Sequence, residues 1–317
     1  MMNILFLHFP VDNNQIEGKY LPDFFATMGH KVFSVFEKRQ RNFYSKHKGT
    51  KLPVVELLKE EIRKIKFDLI VCKNDAFQKY GKDFRSDSTK IINVMPMGIN
   101  NNYNNCDFYF KENELIKAPI EEMQNVFDKE YKNWKDRKKQ IIVPASIGSD
   151  KNQKEIVDLI DANLFSEYSI LFAGKIYNQN YANYLKLKLD QKSVNSIFKF
   201  LTREELAREF LNSKLTMLTT DPRPIQPFDP GPRVIFESIR AGTPCLINDL
   251  VLVNSYCKPY CLTYKNGNKE SFEKTCKLYL NRENNLLSLE SYKVGKKYLN
   301  MNFACKNAYE KIIGWMN

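Results

Sequence analysis

Short apolar runs alternate with amphipathic stretches along this sequence, and the alternation occurs in two successive series. The first series opens with a strand-like run at Ile4–Leu7, continues through a helix pattern at Lys19–Met28 and enters a second strand at Val32–Phe36. The same alternation predicts a helix at Leu57–Lys66 and strands at Phe67–Cys72, Lys90–Met95 and Cys106–Phe110. Strands separated by helices pair in parallel, and a parallel sheet is covered by helices on both faces. The first series therefore predicts a doubly wound α/β domain.

A second series of the same kind starts at Gln140 and predicts a second parallel sheet. Its predicted elements are strands at Gln140–Ser146, Ser169–Gly174, Ser196–Leu201, Leu215–Thr220 and Pro244–Asn248, and helices at Lys154–Ala162, Tyr181–Leu189, Thr202–Leu211 and Pro232–Ala241. A helical tail begins at Lys269. The polar segment Lys129–Lys139 separates the two series. The sequence therefore predicts domains at 1–138 and 139–297, with a C-terminal helix at 298–317 that packs back on the first domain.

The composition of the 317 residues is that of a folded protein, with 43% hydrophobic and 27% charged residues. The first residues resemble a buried strand rather than a signal peptide, and no run approaches the roughly 18 apolar residues of a membrane span. We expect a cytoplasmic protein. Seven scattered cysteines without a CxxC pair predict buried thiols, and three histidines outside any ligand spacing predict no metal.

The net charge of +12 is spread over both halves of the chain, so local clusters carry more information than the total. One segment, Glu37–Lys51, has six basic residues, one acid and two aromatics. Such a segment is either a solvated loop or a surface for an anionic membrane, a polyanionic glycan or nucleic acid. Peripheral contact with the inner face of a membrane is the localisation that this second interpretation implies.

The stretch FDPGPRVIFESIRAGTPCLIND, from Phe228 to Asp249, combines a rigid turn with the start of a short helix. Gly231 is the expected N-cap, and Pro232 is expected at the first helical position, where its missing N–H is no loss. A helix start with unpaired amides and Arg233 in its first turn suits a phosphate or diphosphate. The alternative is a tightly turned helix with a purely structural role.

Two carboxylates flank this expected anion site, Asp229 before the helix and Glu237 inside it. Carboxylates do not bind phosphate, but they accept hydrogen bonds from hydroxyl groups. A diphosphate site between two hydroxyl acceptors describes a nucleotide sugar, with the ribose on one side and the hexose on the other.

The spacing D-x7-E from Asp229 to Glu237, followed by SIRAGTPCLIN, resembles the E-x7-E segment of retaining GT-B glycosyltransferases, in particular family 4. Three further segments resemble this family in the same order: KEIVDLIDA at Lys154–Ala162, ILFAGK around Gly174, and FLTREELAREFLNSKLTMLTT before the quoted stretch. GHKV at Gly29–Val32 matches a weaker motif of the first domain. The resemblance covers Gln140–Asn248 well and implies a GT-B fold, with two Rossmann-like domains facing a cleft and a helical C-terminal tail.

The resemblance also implies roles for individual residues. Lys154 would contact the donor diphosphate, Glu237 the ribose hydroxyls and Asp229 the transferred sugar. Asp229 stands where the family has Glu, and Ser149 and Asp150 lie where the family has an arginine, so Arg233 would supply the missing positive charge. The remaining donor-binding candidates are Gly148, Gly174, Lys175, Lys199, Phe200, Leu201, Gly231, Pro232 and Val234.

The acceptor side is less defined in the sequence. The segment His8–Gly18 occupies the place of the family's glycine-rich acceptor loop, and Asn74 and Asp75 follow a predicted strand where acceptor contacts arise in such folds. His8 can equally be a packed residue at a strand end, and Asp75 can be an ordinary turn residue. The candidates on the acceptor side are thus His8, Gly18, Asn74 and Asp75.

The resemblance implies a metal-independent, cofactor-free glycosyltransferase with a nucleotide diphosphate sugar as co-substrate. It would act on a glycan, a glycolipid or a similar hydroxyl acceptor, as in polysaccharide biosynthesis. The sequence leaves two alternatives open: a glycosyltransferase that modifies DNA bases, and a non-catalytic nucleotide- or glycan-binding module on the same fold.

Overall fold

A computed structural model describes residues 1–7, 20–36, 50–53, 60–72, 84–93, 106–109, 118–221, 232–280 and 285–316. The chain divides into two compact units. Unit 1 consists of Met1–Lys117 together with Met301–Asn317, and unit 2 consists of Ala118–Asn300.

Unit 1 is built on a six-stranded parallel sheet with the order β3-β2-β1-β4-β5-β6. Its strands are β1 Asn3–Leu7, β2 Lys31–Phe36, β3 Thr50–Pro53, β4 Leu69–Cys72, β5 Lys90–Asn93 and β6 Phe108–Tyr109. Its described helices are α1 Leu21–Thr27, α2 Glu60–Arg63 and α11 Met301–Met316. The central strands β1 and β4 are buried almost throughout, which explains their continuous apolar runs.

The last helix of the chain, α11, belongs to unit 1 and packs against α1. The ring of Tyr309 contacts Phe24 and Phe25 edge-on, and its hydroxyl lies 3.1 Å from Nε2 of His30. These aromatic contacts attach the C-terminal helix to the first β-α-β unit of the chain.

Unit 2 is built on a second six-stranded parallel sheet, with the order β12-β11-β10-β7-β8-β9. Its strands are β7 Gln140–Val143, β8 Ser169–Ala173, β9 Asn195–Lys199, β10 Leu215–Leu218, β11 Cys245–Asn248 and β12 Cys261–Tyr264. Its helices are α3 Glu121–Lys129, α4 Gln153–Leu159, α5 Ala162–Phe165, α6 Gln179–Gln191, α7 Arg203–Asn212, α8 Arg233–Arg240, α9 Lys269–Leu280 and α10 Asn285–Tyr298. Helices cover both faces of the sheet through two apolar clusters, one that includes Ile141 and Phe272 and one that includes Phe127 and Phe210.

The predicted helix ends with glycine are confirmed. Gly29 and Gly242 both have positive φ, at 87° and 72°, which favours glycine at these positions. After α8, the amide of Gly242 donates to Ile239 O and the amide of Thr243 donates to Ser238 O, which is the Schellman pattern. The predicted capping box is also present, since Thr202 and Glu205 satisfy each other's backbone amides at the start of α7.

Some predicted elements differ from the structure. Four elements were not predicted at all, namely the helices α3 and α5 and the edge strands β3 and β12. Strand β3 includes Thr50 and Lys51, so the end of the basic segment Glu37–Lys51 is part of the sheet, and the rest of it lies outside the described residues. Several predicted strands end one to two residues early, because polar residues such as Thr219 and Thr220 follow β10 in its loop.

The division between the units lies at 117/118 and 300/301 rather than at the predicted 138/139 and 297/298. The polar segment Lys129–Lys139 belongs to unit 2 because two of its side chains are anchored in that unit. Trp134 Nε1 donates to Lys214 O at 3.3 Å. The buried guanidinium of Arg137 donates to Ser213 O, Ala241 O and Thr243 Oγ1, and burial lowers the pKa of Arg137 to about 10. A segment of polar composition can therefore still be fixed to a core by two of its side chains.

Candidate functional site

The carboxyl edge of the second sheet collects most of the predicted donor-binding residues. All six strands run parallel, and the chain order reverses between the neighbouring strands β7 and β10. In a doubly wound sheet, ligands bind at such a reversal, outside the carboxyl ends of the strands. Gly148 follows β7, Gly174 and Lys175 follow β8, and Phe200 and Leu201 follow β9.

The loops after β7, β8 and β9 are joined directly by backbone hydrogen bonds. The amide of Ile147 donates to Lys175 O at 2.8 Å, and the amide of Gly174 donates to Lys199 O at 2.9 Å. Gly148 has an extended φ of −166°, which any residue can adopt, so its need for glycine does not come from its backbone conformation. Gly174 differs, because a Cβ there would overlap the backbone carbonyl of Ala145. Only glycine lets the loop after β7 approach the end of β8 this closely.

We therefore predict that Gly174→Ala destabilises the protein by about 1–3 kcal/mol, the usual cost of forcing extra volume into a packed site. The clash is with backbone, which cannot rotate away. Gly267, whose added Cβ would meet nothing within 4 Å, is unsuitable as a control because of its positive φ. A Cβ added at Gly314 on α11 would also meet nothing within 4 Å, and Gly314 has no positive φ. Gly314→Ala is therefore the matched control. Urea denaturation of both variants measures the difference, and equal stabilities would contradict the close approach.

Helix α4 begins beside the reversal between β7 and β10. A short 3-10 helix at Ser149–Lys151 precedes it, and Asn152 is left-handed with φ 48°. Thr219, just after β10, donates its hydroxyl to Lys151 O at 3.0 Å and Asn152 O at 2.9 Å. The start of α4 is thus fixed to the end of β10.

Lys154 lies in the first turn of α4, with 55% of its side chain exposed. Its backbone amide donates to the hydroxyl of Tyr181 at 2.8 Å, and its ammonium lies 3.9 Å from Asp158 Oδ2. An exposed i,i+4 pair of this kind is weak, so the ammonium can exchange Asp158 for an anionic ligand.

Glu155 is a polar anchor that the sequence analysis did not single out. Its buried carboxylate accepts hydrogen bonds from Gly267 N at 2.9 Å, Asn152 Nδ2 at 2.9 Å and Asn248 Nδ2 at 3.1 Å. Burial raises the pKa of Glu155, and the hydrogen bonds from Gly267 and Asn248 oppose this shift only in part. Glu155 stands where the family motif K-G-x-x-x-L-I-x-A has glycine, and this departure was the available signal.

The N-cap of α8 differs from the predicted one, Gly231. Pro232 is itself the N-cap, with φ −61° and ψ 141°, and Arg233 is the first helical residue. The helix begins one residue later because the extended ψ of Pro232 is not helical. The amide of Ile235 is already used, since it donates to Pro232 O at 3.1 Å. Considering the described residues alone, the amides available at this helix start are those of Arg233 and Val234, which precede the first intrahelical bond.

Glu237 is fully buried within α8. Its Oε1 lies 3.8 Å from Nη1 of Arg203, and neither carboxylate oxygen has a hydrogen-bond partner among the described residues. Burial raises the pKa of Glu237, while the nearby charges of Arg203 and Arg233 act in the opposite direction. A buried carboxylate without hydrogen bonds is costly, and native proteins seldom keep one without a functional reason.

Two exposed aromatic side chains stand at the β8 and β9 end of this edge. Phe200 is 77% exposed, and Tyr177 is 69% exposed with the ammonium of Lys175 at 5.0 Å from its ring centroid. Leu201 instead packs partly into the core next to α7. Exposed aromatic faces near cations are suited to a planar, anionic ligand such as a nucleotide.

Several predicted site residues lie outside the described residues, so their proposed roles stay predictions. They are His8, Gly18, Asn74, Asp75, Asp229 and Gly231. The tertiary structure brings together Glu237, Arg233 and Arg203, of which Arg203 was missed by the sequence analysis.

Three further features concern the cysteines, the possible metal ligands and the apolar character of the helices. All seven cysteines lie in the described ranges and are thiols. Among the described residues, no group of three or more His, Cys, Asp or Glu side chains is placed to hold a metal ion. Within the same ranges, none of the helices combines the length and the apolar character that crossing a bilayer requires.

Two doubly wound parallel sheets, the second with a charged site at its strand reversal, define the GT-B class of glycosyltransferases. Residues 125–294, more than half of the chain, match the family Glycosyl transferases group 1. The chain belongs to this family and is a glycosyltransferase. No curated protein sequence matches it.

Solved structures with the same fold cover the whole chain. A glycosyltransferase from Rickettsia africae ESF-5 superposes with a TM-score of 0.70 at 12% identity, over 99% of this chain and 98% of that one. An alpha-glucosyltransferase in complex with UDP and a 13-mer DNA containing a HMU base has a TM-score of 0.62 at 13% identity, over 98% and 99% of the two chains. Anabaena Alr3699/HepE in complex with UDP and glucose has a TM-score of 0.62 at 10% identity, over 99% and 100%. At these identities, the likeness shows the fold.

Proposed function

We propose that this protein is a retaining glycosyltransferase, similar to family 4, that transfers a sugar from a nucleoside diphosphate sugar to a hydroxyl of a glycan, glycolipid or similar acceptor. The observation that carries the donor assignment is Glu237, a fully buried carboxylate to which none of the described residues donates a hydrogen bond, in the helix that starts with Arg233. Hydroxyl groups of a ribose are donors of the kind that this carboxylate lacks. Two of the similar structures contain UDP, which is consistent with this donor class.

In the proposed mechanism, the protein lowers the barrier mainly by stabilising the departing diphosphate. Negative charge develops on the leaving group as the bond to the sugar breaks, so preorganised cations and amides nearby are more effective in the transition state than in the ground state. Arg233, Lys154 and the amides at the start of α8 supply this positive charge in the proposal. Asp229 would hold the transferred sugar, and Glu237 would hold the ribose.

The proposal includes no metal, because the cationic side chains take the place that a divalent ion has in other transferases. The resemblance to family 4 supports this part of the proposal. Transfer that continues in excess EDTA would agree with it, and activity that returns only with added Mg²⁺ or Mn²⁺ would contradict it.

The donor class is tested by thermal unfolding with UDP, GDP, ADP and their sugar conjugates. A ligand at 100 times its Kd stabilises the protein by about 2.7 kcal/mol. For a unit of this size we expect the Tm to rise by about 5–10 °C with the correct nucleotide, since 1 kcal/mol corresponds to roughly 2–4 °C. Uridine, guanosine and adenosine without phosphate serve as controls. If no diphosphate raises the Tm, the donor assignment is wrong.

A second candidate function is glycosylation of DNA bases. It is favoured by the net charge of +12 and by the similar structure that was solved with a 13-mer DNA. Binding of duplex DNA that weakens steeply with salt would support it, because each neutralised phosphate contributes to the salt dependence. Salt-insensitive or absent binding would leave glycans and glycolipids as the acceptor class.

A further inference from the structure

The ion pair between Arg203 and Glu237 joins an exposed residue to a buried one. Arg203 is the first residue of α7, and its side chain is 48% exposed, whereas the side chain of Glu237 is 1% exposed. The distance of 3.8 Å between Nη1 and Oε1 is too long for a hydrogen bond, so Arg203 does not occupy the lone pairs of the carboxylate. The guanidinium therefore supplies charge to Glu237 without occupying it.

The charges that act on Glu237 come from two arginines. Arg203 is the stronger of the two influences that lower the pKa of Glu237, and Arg233 is the weaker one, while burial acts against both. Helices α3 and α10 also pack against α8, and there Asp128 of α3 pairs with Arg240 of α8 and with Lys296 of α10 rather than with Glu237. Strand β11, with the sequence CLIN, has no charged side chain.

A purely structural role for Arg203 is not needed to hold α7 in place. The start of α7 is closed by the capping box of Thr202 and Glu205. The contact of α7 with the rest of unit 2 includes the apolar side chains of Leu206, Ala207 and Phe210 and the hydrogen bond from Gln140 Nε2 to Glu209. Removing the guanidinium leaves both sets of interactions intact.

We infer that Arg203 is a positioning residue for donor binding, which keeps the buried carboxylate of Glu237 charged and open to the ribose hydroxyls. The inference rests on the proposed function, in which Glu237 binds the ribose. It adds a residue that neither the motif nor the charge pattern of the sequence indicated. Without Arg203, Glu237 would take up a proton more readily and would lose strength as a hydroxyl acceptor.

The test compares Arg203→Gln with a matched control, Arg208→Gln. Arg208 lies on the same helix, is 45% exposed and pairs with Glu130 and Glu204 at the surface. Isothermal calorimetry measures the affinity for whichever of UDP, GDP and ADP binds most tightly, and for its 2′-deoxy and 3′-deoxy analogues, between pH 5.5 and 9. The readout is the factor by which removing a ribose hydroxyl weakens binding.

In the parent protein and in Arg208→Gln we expect at least one of the deoxy analogues to bind about tenfold more weakly, which is the scale of a hydrogen bond to a charged group. This discrimination disappears as the pH falls and Glu237 is protonated. In Arg203→Gln the discrimination should disappear at a higher pH than in the parent, because losing the nearby cation raises the pKa of Glu237. Arg203→Lys keeps the charge and should restore the pH dependence of the parent.

The outcomes separate the inference from the proposed function. If Arg203→Gln discriminates like the parent at every pH, the role of Arg203 is refuted while the ribose assignment stands. If Arg203→Lys loses the discrimination at the same raised pH as Arg203→Gln, the charge explanation is refuted. If the parent itself does not distinguish the deoxy analogues, Glu237 does not bind the ribose, and the inference falls with that assignment. Melting curves of the three variants verify that each one is folded.

Discussion

Arg233→Ala and Lys154→Ala should each slow sugar transfer by about 100- to 1,000-fold, the scale for removing one preorganised group that stabilises developing charge. Arg233 is the first residue of α8, and Lys154 lies in the first turn of α4, beside the reversal between β7 and β10. Both side chains are at least partly exposed, so we expect their loss to change the Tm little. Steady-state transfer rates at saturating donor measure the effect, which should appear in kcat.

Lys186→Ala is the matched control for Lys154→Ala. Lys186 forms the same kind of exposed i,i+4 pair, 3.3 Å from Asp190, and lies on α6. If Lys154→Ala transfers sugar as fast as Lys186→Ala, Lys154 is an ordinary solvated lysine and the diphosphate assignment for it is wrong.

Asp229→Asn should spare the affinity for free nucleoside diphosphate but lower turnover, because the proposed partner of Asp229 is the sugar.

Glu237→Gln should weaken nucleotide binding and at the same time leave the protein at least as stable as the parent. Binding should weaken by about tenfold or more, because hydrogen bonds to a charged acceptor contribute about 1.5–3 kcal/mol. At pH 8 the Tm should rise, since the substitution removes a buried charge that accepts no hydrogen bond from the described part of the chain. Calorimetric binding of the nucleoside diphosphate and thermal unfolding of the unliganded protein measure the two effects.

The extra stability expected of Glu237→Gln depends on pH because the pKa of Glu237 is raised in the folded protein. In the folded protein the carboxyl group holds its proton to a higher pH than in the unfolded chain. Its ionisation therefore costs stability as the pH rises from the unfolded pKa, near 4.5, through the folded pKa. The advantage of Glu237→Gln should accordingly be full above the folded pKa and should shrink as the pH falls towards the unfolded value.

Glu155→Gln is the contrasting control, because Glu155 is also buried but accepts three hydrogen bonds. Its substitution places an amide N–H₂ against donors and should cost about 1–3 kcal/mol. A loss of stability in Glu237→Gln as large as in Glu155→Gln would show that Glu237 has a structural role, and the ribose assignment would be wrong.

The features that the sequence determined by itself are those that depend on neighbouring residues. The glycine caps after α1 and α8 and the capping box of α7 were predicted correctly, because a helix end is decided by a few adjacent side chains and dihedral angles. The alternation of strands and helices also predicted both parallel sheets, because each apolar or amphipathic run is visible in a short stretch of sequence. Strands β3 and β12 were missed because they are edge strands with the partly polar sequences TKLP and CLTY, which lack the continuous apolar run of the buried strands.

Only the tertiary structure decided which distant residues meet. The segment Lys129–Lys139 has the polar composition of a linker, but Trp134 and Arg137 fix it to unit 2 through acceptors about 80 to 100 residues further along the chain. Arg203 and Glu237 are 34 positions apart and meet because α7 packs beside α8 and both helices join the same apolar cluster. Glu155 likewise meets Asn248 and Gly267 only because β7 and β11 flank β10. Such contacts follow from strand order and burial, which are properties of the whole sheet and have no local signature in the sequence.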